Sequence, residues 1–197
     1  MSLQEIRNNY QRFSNTKLLR IAENDAKELP DEVIEILKSE ITRRKLGDHL
    51  IQAIDIVRKP ITEEDYKAYY ELLSKMPCPY CNSKTAKNNV TMVRKTTSAI
   101  IITHRTNKPK IGCSNCLDGL HRSANIHTFF LGWWGIPWGP IHSLRTFYKN
   151  RKMRKRFNHS NQLDELFVAF IQANIVALES NKQNEIALGN VIRQLNS

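Results

Sequence analysis

The chain has 197 residues, 41% of them apolar, with 7 Gly and 7 Pro. That length and mix suit one medium domain or two small ones with a real apolar core, and exclude a disordered chain. The net charge of +11 is carried by one stretch: residues 1–77 sum to −1, 78–160 to +14 with Asp118 as their single acid, and 161–197 to −2. Such a block either seeks an anionic partner, with nucleic acid and anionic lipid headgroups as the two choices, or is a solvated basic face. The opening residues "MSLQEIRNNYQRF" lack the apolar run of a secretory signal, which predicts retention in the cytoplasm.

Residues 1–77 read as a helical region. In "LPDEVIEILKSEITRRKLG", Pro30 and two acids open a helix, Arg43, Arg44 and Lys45 fill its last turn, and Gly47 stops it. Each suits the dipole or the backbone at its end. Val33, Leu37 and Ile41 recur at i, i+4, i+8 as an apolar stripe. In "PITEEDYKAYYELLSKMP", Thr62 caps and Asp65 completes a capping box. Tyr66, Tyr69, Tyr70, Leu73 and Met76 share a face, and Pro77 ends the helix.

Cysteine occurs only as two C-x-x-C pairs, Cys78/Cys81 in "PCPYC" and Cys113/Cys116 in "GCSNC". The string C-P-Y-C is also the redox pair of glutaredoxins, but a nucleophilic pair follows a strand and opens a helix, whose N-terminus lowers the thiol pKa. Here the first pair follows a helix, and "NSKTAKNNVT" behind it is a poor helix start. A second pair is also more than a dithiol oxidoreductase needs. Two such pairs separated by a β-rich stretch are what a Cys₄ zinc site requires: two tight knuckles whose sulfurs converge on a tetrahedral ion. The 31 residues between Cys81 and Cys113 are tolerated because loop-closure entropy grows only logarithmically. With all four positions taken by Cys78, Cys81, Cys113 and Cys116, the expected Zn²⁺ is structural, since a catalytic zinc keeps a position for water. The stretch between the pairs, "NVTMVRKTTSAIIITHRTNKPKIG", is β-branched, with turn chemistry at Asn107-Lys108-Pro109. It reads as two or three short strands. His104, His121 and His127 are read as polar surface without a role.

From Ser123 to Leu144, 22 consecutive residues carry no formal charge, and all three tryptophans, Trp133, Trp134 and Trp138, lie within them. A basic run follows at once: Lys149, Arg151, Lys152, Arg154, Lys155 and Arg156. Pro137, Pro140 and three glycines interrupt the segment, and its strongly apolar part, Phe129 to Ile141, is 13 residues. That length favours an interfacial or buried element over a membrane span, which needs ~20 apolar residues. Tryptophan prefers the headgroup boundary, and each nearby Lys/Arg adds ~1 kcal/mol of attraction to an anionic leaflet. A plug packed over the cysteine unit and a stacking surface for single-stranded nucleic acid remain alternatives. In the last case Tyr80, Phe147 or Tyr148 would stack on bases.

The string "LGWWGIPWGPI", behind a C-x-x-C-bearing β segment and followed by Asn150, resembles a recurrent feature of uncharacterised bacterial zinc-ribbon proteins. The text "LLRIAENDAKELPDEVIEILKSEITRR" is similar to a helical segment near the front of some of them. The resemblance covers about half the chain; it implies a membrane-associated zinc-ribbon protein and brings no catalytic residue. The tail reads as helical again, with Leu163, Leu166, Phe167, Phe170 and Ile171 as one stripe and Leu188, Ile192 and Leu195 as a second.

The fold expected is α+β: a helical region (1–77), a zinc-ribbon-like β unit (78–122), an aromatic and basic segment (123–159) and C-terminal helices (160–197). The function expected is non-enzymatic. Phosphate-loop, H-E-x-x-H and nucleophile-elbow motifs are missing from the sequence, and redox use of the C-P-Y-C pair is the one catalytic candidate. The partner expected is an anionic lipid surface or a membrane protein, at the cytoplasmic face of an inner membrane. Nucleic acid is the alternative.

Overall fold

A computed structural model describes residues 2–99, 102–135, 138–159 and 163–197, without the side chains of 157–159. Ile136 and Pro137 of the tryptophan string, and Ser160 at the start of the C-terminal region, lie outside the described residues. The architecture is mixed α+β, with ten α-helices and a two-stranded antiparallel sheet among the described residues, in two compact units, 1–61 and 62–197.

The first unit is all helical: α1 (Leu3–Arg12), α2 (Asn15–Arg20) continuing into a π-helical turn (Ile21–Asp25), α3 (Asp31–Arg43) and α4 (Asp48–Arg58). Ser2 and Glu5 form a capping box on α1, and Ser14 caps α2. The stripe Val33, Leu37 and Ile41 is buried, in a core shared with Tyr10, Leu18, Ile34, Leu50 and Ile54. Of the basic residues at the end of α3, Arg44 does more than face the dipole. Its guanidinium donates to the carbonyls of Phe13 (2.7 Å), Gln11 (2.8 Å) and Tyr10 (3.2 Å) and to Asn15 Oδ1 (2.9 Å). It thereby supplies donors to carbonyls at and just beyond the end of α1, where helical N–H groups run out. The helix stops earlier than Gly47 suggests: Lys45 takes the left-handed conformation (φ 53°), and Leu46 N–H returns to the Ile41 carbonyl at 3.1 Å.

The second unit opens with α5 (Glu63–Lys75), capped by Thr62 and Asp65 as the sequence predicts. The hairpin β1 (Asn88–Ala99) and β2 (Ile102–Cys113) follows, then α6 (Ser114–Leu131), α7 (Trp138–His159), α8 (Glu165–Ala173), α9 (Ile175–Asn181) and α10 (Glu185–Leu195). In place of two or three short strands there are two of 12 residues, paired from Asn88↔Cys113 to Ala99↔Ile102. The expected turn at Asn107-Lys108-Pro109 lies within β2, where Pro109 faces Met92. Both strands of a two-stranded sheet are edges, where proline is tolerated.

The hairpin has two unlike ends. At its base, Val90 and Ile111 join Tyr69, Leu73 and Met76 of the α5 segment and Phe167, Phe170, Ile171, Leu178, Leu188 and Ile192 in an apolar core. Toward its tip, α6 and α7 pack on β1 through polar side chains. Thr91 Oγ1 meets His121 Nε2 at 3.0 Å, Thr96 Oγ1 meets Thr146 Oγ1 at 2.7 Å, and Thr96 N–H donates to Thr128 Oγ1 at 3.1 Å. Asn150 accepts from Arg94 N–H (3.2 Å) and donates to the Arg94 carbonyl (2.9 Å) and Asn125 Oδ1 (2.8 Å). His121, read from sequence as surface, is fully buried.

Candidate functional site

The first cysteine pair sits in a tight loop behind α5. Asn82 N–H donates to the Cys78 carbonyl at 2.8 Å, and Cys78 N–H to the Ser83 carbonyl at 3.0 Å. Closing this loop requires a left-handed residue directly after Cys81, and Asn82 supplies it with φ 58°. The second pair differs from the expected knuckle. Cys113 ends β2 and is the N-cap of α6, so Cys116 lies in the first turn of a helix. That placement aims the positive end of the helix dipole at two thiols. The register Asn88↔Cys113 brings the two pairs together across the base of the hairpin.

All four sulfurs lie within 4.8 Å of one another, and Cys81 Sγ and Cys113 Sγ are 3.7 Å apart. In a tetrahedral ion–thiolate centre with bonds of ~2.3 Å, neighbouring sulfurs are about 3.8 Å apart, so the donor set fits a divalent ion such as zinc. Cys78 and Cys113 are buried, and the Cys113 N–H donates to Cys78 Sγ at 3.3 Å. Burial pushes the Cys78 thiol up, but backbone N–H groups of Cys113, Cys81 and Tyr80 outweigh it and bring it down to about 7. Burial and the neighbouring sulfurs push Cys116 well above the ordinary thiol range, and burial raises Cys113. Four thiols crowded at this spacing cannot all ionise unless a cation compensates them. Gly112 gives the site its cover: a Cβ there would stand 3.0 Å from the Tyr80 ring and 3.6 Å from Cys78 Sγ.

At the other end of the hairpin, the string "LGWWGIPWGP" acquires a physical sense. Gly132, Gly135 and Gly139 are buried, whereas Trp133, Trp134 and Trp138 are 37%, 70% and 58% exposed. A Cβ at Gly132 would collide with the Thr128 carbonyl and Ser143 Oγ, and one at Gly139 would stand 2.8 Å from the Gly132 carbonyl. The glycines let the turn between α6 and α7 close on itself and on the hairpin, and the tryptophans are left outside. Both helices continue the inversion. Their buried faces carry His121, Ala124 and Thr128 on α6 and Ser143, Thr146 and Asn150 on α7. Phe129, Phe130, Leu131, Ile141 and Leu144 are exposed beside the tryptophans. The Trp134 indole N–H donates to the Phe130 carbonyl at 2.7 Å, so this ring needs no water for its one polar atom. No helix among the described residues is long and apolar enough to cross a membrane.

The basic run divides. Arg154 pairs with Asp118 at 2.5 Å, and Arg156 lies 3.4 Å from Asp164 and 3.9 Å from Glu165. Arg151, Lys152 and Lys155 are exposed, and Lys149 lines a basic cleft. Arg94, Lys95, Arg105 and Arg145 line the same cleft and were not singled out in the sequence, because they come from three elements spread over some fifty residues. The outward Phe129 and Leu144 were legible in principle: each lies next to a small polar residue, Thr128 or Ser143, of the series that recurs at helical spacing on the buried face. Comparisons with protein-family models, with curated proteins and with solved structures find no match to this chain.

Proposed function

We propose that this chain is a non-enzymatic, zinc-organised scaffold that docks on an anionic membrane surface from the cytoplasmic side. Zinc held by Cys78, Cys81, Cys113 and Cys116 would fix the base of the hairpin. The aromatic end would enter the headgroup boundary, and Lys149, Arg151, Lys152 and Lys155 would contact anionic headgroups. The observation that carries the reading is the inverted end of the second unit, where helices bury hydroxyls, amides and an imidazole and expose Phe, Trp, Ile and Leu. Folded chains in water expose large apolar patches at interaction sites. An interfacial element needs aromatic anchors, a basic flank and no full span. The resemblance of "LGWWGIPWGPI" to membrane-associated zinc-ribbon proteins implies the same location.

Flotation with vesicles tests it. The wild type should float with anionic vesicles and less with neutral ones. The variant Phe130→Ser/Trp134→Ser/Trp138→Ser should bind more than ~10-fold more weakly, since each large side chain buried is worth ~1.5–3 kcal/mol. Binding to single-stranded oligonucleotides with a steep fall in salt, and no flotation, would replace this reading with the nucleic-acid one.

A further inference from the structure

Between the hairpin and α7 lies a cleft of about 220 Å³ lined by Arg94, Lys95, Arg105, His142, Arg145 and Lys149, with Asn107 and Thr146 completing it. His142, Arg145, Thr146 and Lys149 recur at i, i+3, i+4, i+7, one face of α7, and Arg94 and Arg105 come from the two strands. The lining contains no carboxylate. Asp118, the single acid of residues 78–160, is occupied by Arg122 at 2.6 Å and Arg154 at 2.5 Å. Among the described residues none of the five cleft cations makes an ion pair. Two of the cleft's nitrogens are buried without a hydrogen-bond partner among the described residues: Arg94 Nη1 and His142 Nδ1.

These facts need an explanation, because converging like charges oppose folding and a buried donor without an acceptor costs ~1–3 kcal/mol. The crowding is felt at Lys149, whose ammonium is pushed down in pKa chiefly by Arg145, then by its slight burial and by Arg94 and Arg105. Burial alone lowers Arg94. An oxyanion in the cleft resolves both costs: it supplies an acceptor for Arg94 Nη1, and for His142 Nδ1 in the tautomer that carries its proton there, and it supplies the missing negative charge. Guanidinium forks from three directions suit a tetrahedral phosphate better than a planar carboxylate of single charge. Five cations call for more charge than a phosphodiester's single one, and a phosphate monoester carries about −1.5 to −2 at neutral pH.

We propose that this cleft is a phosphate-monoester site, with Arg94, Arg105 and Arg145 as the oxygen-binding forks and Lys95 and Lys149 as flanking point charges. The monoester comes either from a lipid headgroup, which the neighbouring aromatic end would bring within reach, or from a free phosphate compound. The site stands independently of the docking reading.

The full chain is titrated with inorganic phosphate and glycerol 3-phosphate, followed by NMR of the arginine side chains. In parallel it is floated with phosphatidylcholine vesicles containing either phosphatidic acid or phosphatidylserine at matched surface charge. Arg105→Ala/Arg145→Ala removes two exposed forks, and Lys84→Ala/Lys87→Ala removes the same charge elsewhere. The wild type should bind the free monoesters, or prefer phosphatidic acid over phosphatidylserine, or both. The first result alone names a free compound as the source, and the second names the headgroup. The arginine pair should lose that binding or preference by about a hundred-fold or more, the cost of two charge-assisted hydrogen bonds, while the lysine pair keeps it. Arg105→Lys/Arg145→Lys, which keeps the charge and the fold, should lose most of it as well. Equal losses in the arginine and lysine pairs, absence of both binding and preference, or tighter binding to oligonucleotide phosphodiesters overturns the site. Monoester binding without flotation would end the docking reading alone, and flotation with neither free-monoester binding nor a preference for phosphatidic acid would end the cleft alone.

Discussion

At the residue scale a few side chains have defined work. Cys113 supplies one sulfur of the cluster, stands at the N-cap position of α6 and donates its N–H to Cys78 Sγ. Cys113→Ser should therefore abolish metal retention and unfold the base of the hairpin, because apparent binding energies of structural zinc, ~10–16 kcal/mol, match or exceed the stability of a domain. Elemental analysis and thermal melting of the purified variant check this; full stability without bound metal contradicts it. Asn82 holds a left-handed turn at the first pair, so Asn82→Gly should be tolerated while Asn82→Val costs about 1–2 kcal/mol and weakens metal affinity in a chelator competition. The cysteine pairs were legible in the sequence because ligand spacing is a local signal. The helical placement of the second pair was not, since "GCSNC" reads equally as a turn until β2 and α6 are known to meet there.

At the scale of elements, the helix starts were legible and the strand lengths were not. Capping at Thr62 and Asp65 is decided within four residues, whereas Asn107-Lys108-Pro109 follows the pairing of a whole hairpin despite its turn chemistry. Arg44 belongs to this scale, as the strap between the end of α3 and the end of α1. Arg44→Leu removes four hydrogen bonds to carbonyl and amide oxygens. It should cost on the order of 2–4 kcal/mol, read as a shifted denaturation midpoint of the 1–61 unit. The layer between hairpin and helices makes a pH prediction. Burial holds the His121 imidazole down at about 4, against the Asn150 hydrogen bond, which pulls it up. In an unfolded chain it titrates near ~6.5. Between those values the unfolded state takes up a proton that the folded state refuses, so stability is full above ~6.5 and falls as pH drops toward 4, by roughly 2–4 kcal/mol in all. Loss of metal from protonated thiols falls in the same acid range, so the wild type is compared with His121→Gln, which should lose this part of the slope. Equal slopes in the two proteins contradict the assignment. The sequence hid this role: a lone histidine gives no sign that Thr91, 30 residues away in the chain, will lie 3.0 Å from it.

At the scale of the molecule, the second unit is polarised along its hairpin. Twelve-residue strands set the sulfur cluster and the tryptophan turn on the order of 35 Å apart. One end gathers four cysteine sulfurs beside an apolar core, and the other turns its apolar side chains outward over a polar interior. The glycines of "LGWWGIPWGP" are what make that second end, by letting backbone meet backbone where any side chain would separate the helices. All three tryptophans of the protein lie there, so intrinsic fluorescence reports on this end alone. The most direct measurement is the tryptophan emission of the unmodified chain before and after adding anionic vesicles, with iodide as the aqueous quencher and brominated acyl chains as the lipid quencher. Docking predicts emission that is readily quenched by iodide in buffer, then shifts to shorter wavelength, loses iodide sensitivity and is quenched by brominated lipid. Emission that stays at its wavelength and remains open to iodide at saturating vesicle concentration would contradict the account.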